Sequence, residues 1–470
     1  MAAADVAPVD RADIQGNILR AYGKAYDRTS YVFTHLEDPA GGREWLGGLL
    51  SQVTSDQERP DPKLRPDETL NVAVTYSGLQ ALGVPADVLK GFSDEFRAGM
   101  AARAEILGDT GESAPENWED GLGTGQAHIL VTINALTSQL LERALDALKA
   151  GVEAAAGVTI VYHQPAQLLD EVREHFGYAD GFAQPAIVGV SEHKLGGGIP
   201  EEGKWRGLAL GEFILGYEDE DSLPPGRRLP SAPAEPLGRS GTYMVFRKLA
   251  QDVALFRKTL REAAALYENG DEEKLAAKVV GRWRNGTPLV SSPDAPIPGF
   301  DREDMSNNAF RYLDTDIDGA RCPLGAHIRR ANPRDALGWE GLDDSGLLAY
   351  RHRIIRRGMP YGPSLPEDAV EDDGEDRGLV FVCFNASISR QFEGVQTQWI
   401  NDGNAFHLGH DKDYLLGDSS TTNKMTIQGK PPDPPFFLAP QAAFVKTRGG
   451  EYLFVPGLRA LSAIAAGRWQ

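Results

Sequence analysis

Short runs of alternating or continuous apolar residues, separated by longer stretches whose apolar positions fall three and four apart, divide this chain into strands and helices. "TSYVFTHL" near residue 30 predicts a strand, and "AGGREWLGGLLSQV" after it predicts a helix. "TLNVAVTY" at 69–76 predicts the next strand. A helical insertion around "ADVLKGFSDEFRAGMAARAEIL" is followed by a strand "AHILVTINAL", a helix "SQLLERALDALKAGVEAAA" and a strand "VTIVYHQ". Strand, helix, strand, strand, helix, strand is the ferredoxin-like order, an antiparallel sheet with helices on one face.

The stretch "DSLPPGRRLPSAPAEPLGRSG", 221–241, holds five prolines and interrupts the pattern. Beyond it "TYMVFRKL" reads as a strand, "AQDVALFRKTLREAAALY" as a helix, "RHRIIRRG" and "GLVFVCFN" as strands, "ASISRQFEGVQTQWI" as a helix and "GEYLFVPGL" as a closing strand. The same order returns. The expected fold class is α+β, two ferredoxin-like domains built on a duplicated βαββαβ unit. The first spans 1–220, a proline-rich linker spans 221–241, and the second spans 242–470 with a large insertion at 270–345.

Composition narrows the function. With 68 acidic against 48 basic residues and a formal charge of −20 over 470 residues, the mean surface field repels phosphate polymers and anionic membranes, so no nucleic-acid or membrane partner is expected. No window approaches a membrane span, and "MAAADVAPVDRADIQGN" lacks the basic start and apolar run of a secretory signal, which predicts a cytoplasmic protein. Two cysteines, Cys322 and Cys383, exclude a disulfide framework and a four-cysteine metal site. The acidic run "PEDAVEDDGEDRG" at 366–378 reads as a solvated loop.

Three segments carry candidate chemistry. In "HFGYADGFAQP", 175–185, Asp180 stands against Gly181 with aromatics on both sides; it is either a turn residue bonding its own backbone or an acid held over something reactive. None of the nine histidines has metallohydrolase spacing, but His327 in "RCPLGAHIRRANPRDA" follows a small Gly-Ala pair and precedes two arginines. Small residues let a planar group approach, and the arginines suit carboxylates; a capping or core histidine is the other reading. In "HRIIRRGMPYG", 352–362, strand alternation sends Arg356 and Arg357 to opposite faces. Whichever points inward needs an anionic partner such as Asp180.

Together these segments resemble the dye-decolorizing peroxidases. Gly177-Tyr178-Ala179-Asp180-Gly181 matches their GxxDG signature, the segment around His327 looks like their haem-ligand segment, and "IIRRGMPYG" resembles the strand of their distal arginine. "FNASISRQFEGVQTQW" is similar to the stretch that follows, and the long loops and "CPLGAHIRRANPR" look like the larger members, the C and D types. The resemblance implies haem b held mainly by the second domain, with hydrogen peroxide and small aromatic reductants as partners and a homo-oligomer as an option. It makes His327 the proximal iron ligand, Asp180 the distal acid-base residue and Arg356 the distal arginine. Arg330 is assigned to a haem propionate, Asn332 to support of the ligand segment, and Val382 and Phe384 to the distal wall. Asp413 is chosen as the acid behind His327, with Asp402 as the alternative. Gly358 departs from the pattern, since many relatives carry Asn or Ser two residues after the arginine.

The implied activity is peroxide reduction through a ferryl intermediate, with oxidation of phenols and dyes favoured at acidic pH. An aspartate has a reference pKa of about 3.9 against about 6.5 for histidine, and stays a competent base at lower pH. Electrons from bulky donors are expected to enter through surface Tyr or Trp. The alternative is a haem-binding or haem-transfer protein with little turnover.

Overall fold

A computed structural model describes residues 9–22, 25–57, 65–191, 194–201, 204–221, 232–337, 349–417, 423–430 and 432–469. Part of the proline-rich stretch, 222–231, lies outside the described residues. The first half supplies β1 (Arg28–Leu36), α1 (Pro39–Leu49), β2 (Glu68–Thr75), β3 (Ile129–Ala135), α2 (Ser138–Ala154) and β4 (Val158–Gln167). The second half supplies β5 (Thr242–Gln251), α3 (Val253–Ala264), α4 (Glu272–Val280), α5 (His327–Ala331), β6 (Ile355–Arg356), β7 (Gly378–Asn385) and β8 (Val445–Val455). Helix starts follow local chemistry. Asp38 accepts from Ala40 and Gly41 N–H ahead of Pro39, Thr137 accepts from Leu140 N–H, and Asp252 accepts from Leu255 N–H.

Each half has the ferredoxin-like order, and the two join. Strands run β4-β1-β3-β2-β8-β5-β7-β6 in a nine-stranded antiparallel sheet, with Met359–Tyr361 paired to the start of β7. The junction is the pairing of Leu453 with Thr75 and Phe454 with Val74. Strand order alone predicts two separate sheets; the continuous one depends on two edge strands meeting in space.

The sheet also curls. Phe33 on β1 and Phe246 on β5 are separated by three strands in the order, yet their rings lie 5.1 Å apart, edge to face. Alternation does the rest: Tyr31, Phe33, Met244, Phe246, Val382, Phe384, Leu453 and Val455 fill the inside, while Val32, Val245, Tyr452 and Phe454 face the outer cluster with Leu46, Leu49 and Leu148 of the helices. A third cluster joins α3, α4 and the insertion to Phe176 and Tyr178. The segment carrying Asp180 is therefore packed into the core of the second half.

Two elements differ from their sequence reading. "RHRIIRRG" forms only a two-residue strand, because Arg351 and Arg353 leave the ladder. "ASISRQFEGVQTQWI" is helical but wound in wide turns over Ser389–Glu393 and Val395–Ile400. A cavity of about 1270 Å³ opens between α1 and α2, and none of the candidate residues lines it.

Candidate active site

His327 opens the short helix α5, and its Nδ1 lies 3.0 Å from Oδ2 of Asp413. Asp413 is fully buried; its other oxygen accepts from Leu415 N–H at 3.0 Å and Leu416 N–H at 2.7 Å. Burial pushes the Asp413 carboxyl up, but His327, Arg330 and the Leu416 N–H outweigh it and hold the group below the usual carboxylate range. Burial disfavours protonation of His327, and the Asp413 charge more than offsets that. Nδ1 is thus the donor and Nε2 the free lone pair, which has no partner among the described residues. Asp402, the alternative, instead accepts from Asn404 N–H at 2.8 Å.

Asp180 is set by the backbone around it. Glu174 accepts from Phe176 N–H, Tyr178 N–H and the Gln251 side chain, and Gly177 and Gly181 take φ of +93° and +97°, where a side chain would be strained. The carboxylate accepts from Gly181 N–H at 2.6 Å and from Arg356 Nη1 at 3.0 and 3.2 Å. Half of the Asp180 side chain is accessible, 51%, yet desolvation is the largest single influence on its acidity. Both hold for a group lining a recess. Burial raises its pKa; Arg356, the Gly181 N–H and Arg282 together overcome that and leave the carboxyl below its ordinary value. Arg356 also sits close enough to His327 to oppose its protonation, so one recess holds all three.

Alternation on β6 separates the two arginines. Arg357 turns away to the carbonyls of Asn17, Ile18 and Arg20, while Arg356 turns to Asp180. Gly358 has a plain cause: a Cβ there would lie 2.5 Å from Val380 O.

Family models match over both halves: the DyP dimeric alpha+beta barrel domain over 13–166 and the Dyp-type peroxidase C-terminal domain over 276–410. Peroxidase 2 of Mycetinis scorodonius is 30% identical over 96% of this chain and 86% of its own length. The multifunctional dye peroxidase DyP2 of an Amycolatopsis species is 31% identical over 96% and 95%. The chain belongs to the dye-decolorizing peroxidase family. Among solved structures, a fungal DyP-type peroxidase from Auricularia auricula-judae superposes with a TM-score of 0.83 at 26% identity, covering 98% of this chain and 100% of that one. An ancestral D-type dye-decolorizing peroxidase gives 0.81 at 29%, covering 97% and 99%. The enzyme is accordingly an oxidoreductase of the larger type, a haem peroxidase whose cofactor is haem b.

The recess of this dye-decolorizing peroxidase fits that group. Among the described residues no three His, Cys, Asp or Glu side chains gather to hold a bare metal ion, but iron within a macrocycle needs only an axial donor, which Nε2 of His327 can be. A Cβ on Gly181 would meet no protein atom within 4 Å, so the floor beside Asp180 is open. Two cations stand nearby, the buried Arg353 and the half-buried Lys194: among the described residues neither Nη of Arg353 has a partner, and desolvation pushes Arg353 down to about 9 and Lys194 to about 8. Propionates would supply the missing charge.

Several expectations need correction. Arg330 has no accessible surface, and its Nη atoms donate to the carbonyls of Trp399, Asp402 and Asp411, so it builds the ligand loop rather than meeting a propionate. Arg329 is spent on Asp316 at 3.0 Å and on Cys322 O. Ala326 is small for packing, being fully buried, whereas a Cβ on Gly325 would meet Leu408 and Met425 only at ordinary contact distances of 3.4–3.9 Å. Val382 and Phe384, 2% and 0% accessible, back β6 from the inner core instead of lining open space. Asn332 is half-buried at the end of α5, and its Oδ1 has no partner among the described residues. Sequence reasoning missed Arg353, because "RHRIIRR" does not tell its four arginines apart, and it missed Glu174 and Gln184, whose roles depend on distant partners.

The Arg329 pair yields a stability test. Asp316→Ala strands a guanidinium with no accessible surface and removes the acceptor of Arg321 and Cys322 N–H. It is expected to cost about 3–5 kcal/mol, read as a lower urea midpoint.

Proposed function

We propose that this chain reduces hydrogen peroxide and oxidises bulky aromatic donors such as phenols and dyes, fastest on the acid side of neutral. The observation that carries the reading is the Asp180–Arg356 pair, at 3.0 and 3.2 Å, in one recess with His327, whose Nε2 has no partner among the described residues. When bound, haem supplies the redox chemistry, giving two electrons to peroxide and regaining them singly from donors. His327 would hold the haem iron through Nε2, and Asp413, accepting from Nδ1, would make the imidazole a stronger donor. Asp180 takes the proton from one peroxide oxygen and returns it to the other, so that the departing oxygen leaves as water. Arg356 offsets the negative charge that grows as the O–O bond lengthens. Arg353 and Lys194 would hold the propionates, and Asn332 would steady the end of α5. The division into units 1–220 and 242–470, and a cytoplasmic setting for its two free buried thiols, belong to the same proposal.

A visible spectrum of the purified protein tests it. A Soret band with a high-spin ferric pattern that shifts on one equivalent of peroxide is expected. Haem without the shift would mean a carrier, for which Asp180 and Arg356 have no use, and a protein that takes up no haem would overturn both readings.

A further inference from the structure

Strand β6 lies at the edge of the sheet and is two residues long. Among the described residues it pairs only with β7, through Ile355 opposite Phe384 and Arg356 opposite Cys383. Arg357 N–H donates into that ladder, to Val382 O at 2.7 Å, so the backbone groups of Arg356 point the other way, out of the sheet. So short an edge fixes a side chain poorly. Gln184 takes up both groups: its Oε1 accepts from Arg356 N–H at 3.2 Å and its Nε2 donates to Arg356 O at 3.0 Å, an oxygen that also accepts from Arg357 Nη1 at 2.9 Å, so the N–H is the group that Gln184 holds without help from Arg357. One primary amide thus replaces the missing neighbour strand at a single residue. Gln184 is four residues after Asp180, in the same segment of the first half, whereas Arg356 belongs to the second. The segment that carries the acid therefore also grips the backbone of its partner.

We infer that Gln184 is a positioning residue for peroxide activation, the clamp that holds Arg356 in register with Asp180. The inference rests on the peroxidase reading and extends it to a residue that touches neither peroxide nor haem. The groups facing Asp180 are Arg356 from β6, Arg282 and Arg302 from the insertion, and Glu174 and the Gly181 N–H from its own segment. Releasing the clamp loosens only the first of these.

Gln184→Met, similar in size but without polar atoms, and Gln184→Glu, which keeps the acceptor and loses the donor, test this in the holoenzyme. In Gln184→Met the second-order rate constant for peroxide is expected to fall at least tenfold, with a smaller fall in Gln184→Glu. The rate of donor oxidation at saturating peroxide and the haem content stay at wild-type levels. The acid limb of the peroxide rate moves to higher pH in the uncharged Gln184→Met, which lost packing alone does not produce. Equal falls in the peroxide and donor steps, an unmoved acid limb in Gln184→Met, or loss of haem in both variants would overturn the inference. Failure of the wild-type protein to react with peroxide would instead overturn the underlying reading.

Discussion

Asp180→Asn is expected to slow peroxide activation by about 10²–10⁴-fold, the usual contribution of a positioned proton shuttle, while leaving haem in place. The amide keeps the shape, and its oxygen can still accept from Arg356 and Gly181 N–H, so the recess survives. What disappears is the group that can take a proton. Stopped-flow absorbance after mixing with peroxide measures it, and a wild-type rate would remove Asp180 from the base role. The pH profile gives the same assignment independently. Because Arg356, the Gly181 N–H and Arg282 hold the carboxyl below its ordinary value, the base form persists as pH falls through the normal range near about 3.9. The wild-type rate should stay level there and drop only at more acid pH. Arg356→Leu removes the main opposition to burial, and the drop should then move upward. A peroxide rate that already falls on acidification from neutral pH would contradict this.

His327→Ala is expected to abolish stable haem binding. The axial donor goes, and Asp413, buried with no accessible surface, loses the partner of Oδ2 while keeping only the Leu415 and Leu416 N–H groups. The loss therefore shows twice, as a missing Soret band and as a lower melting temperature from a stranded carboxylate. Free imidazole should restore part of both by occupying the space and donating to Asp413. A variant that holds haem at wild-type stoichiometry without imidazole would take His327 out of the ligand role.

The ferredoxin-like order of both halves was legible in the chain, because apolar period is a local property that strands such as "TLNVAVTY" and helices such as "SQLLERALDALKAGVEAAA" carry within themselves. The candidates Asp180, His327 and Arg356 were legible for a related reason: their motifs are contiguous, and the opposite facing of Arg356 and Arg357 follows from alternation alone. The rest depends on meetings between residues far apart in the chain. Whether an arginine is a ligand or a brace is decided by which carbonyls arrive beside it, and three loop carbonyls made Arg330 a brace while none from the described residues reached either Nη of Arg353. The choice of Asp413 over Asp402 turned on which carboxylate the fold delivered to Nδ1. The joining of two sheets through Leu453 and Phe454, and the clamp of Gln184 on Arg356, likewise have no local signature. The sequence by itself determined the elements and the reactive residue types; only the tertiary structure decided which polar atoms were left without partners, because hydrogen-bond satisfaction belongs to the whole packed chain.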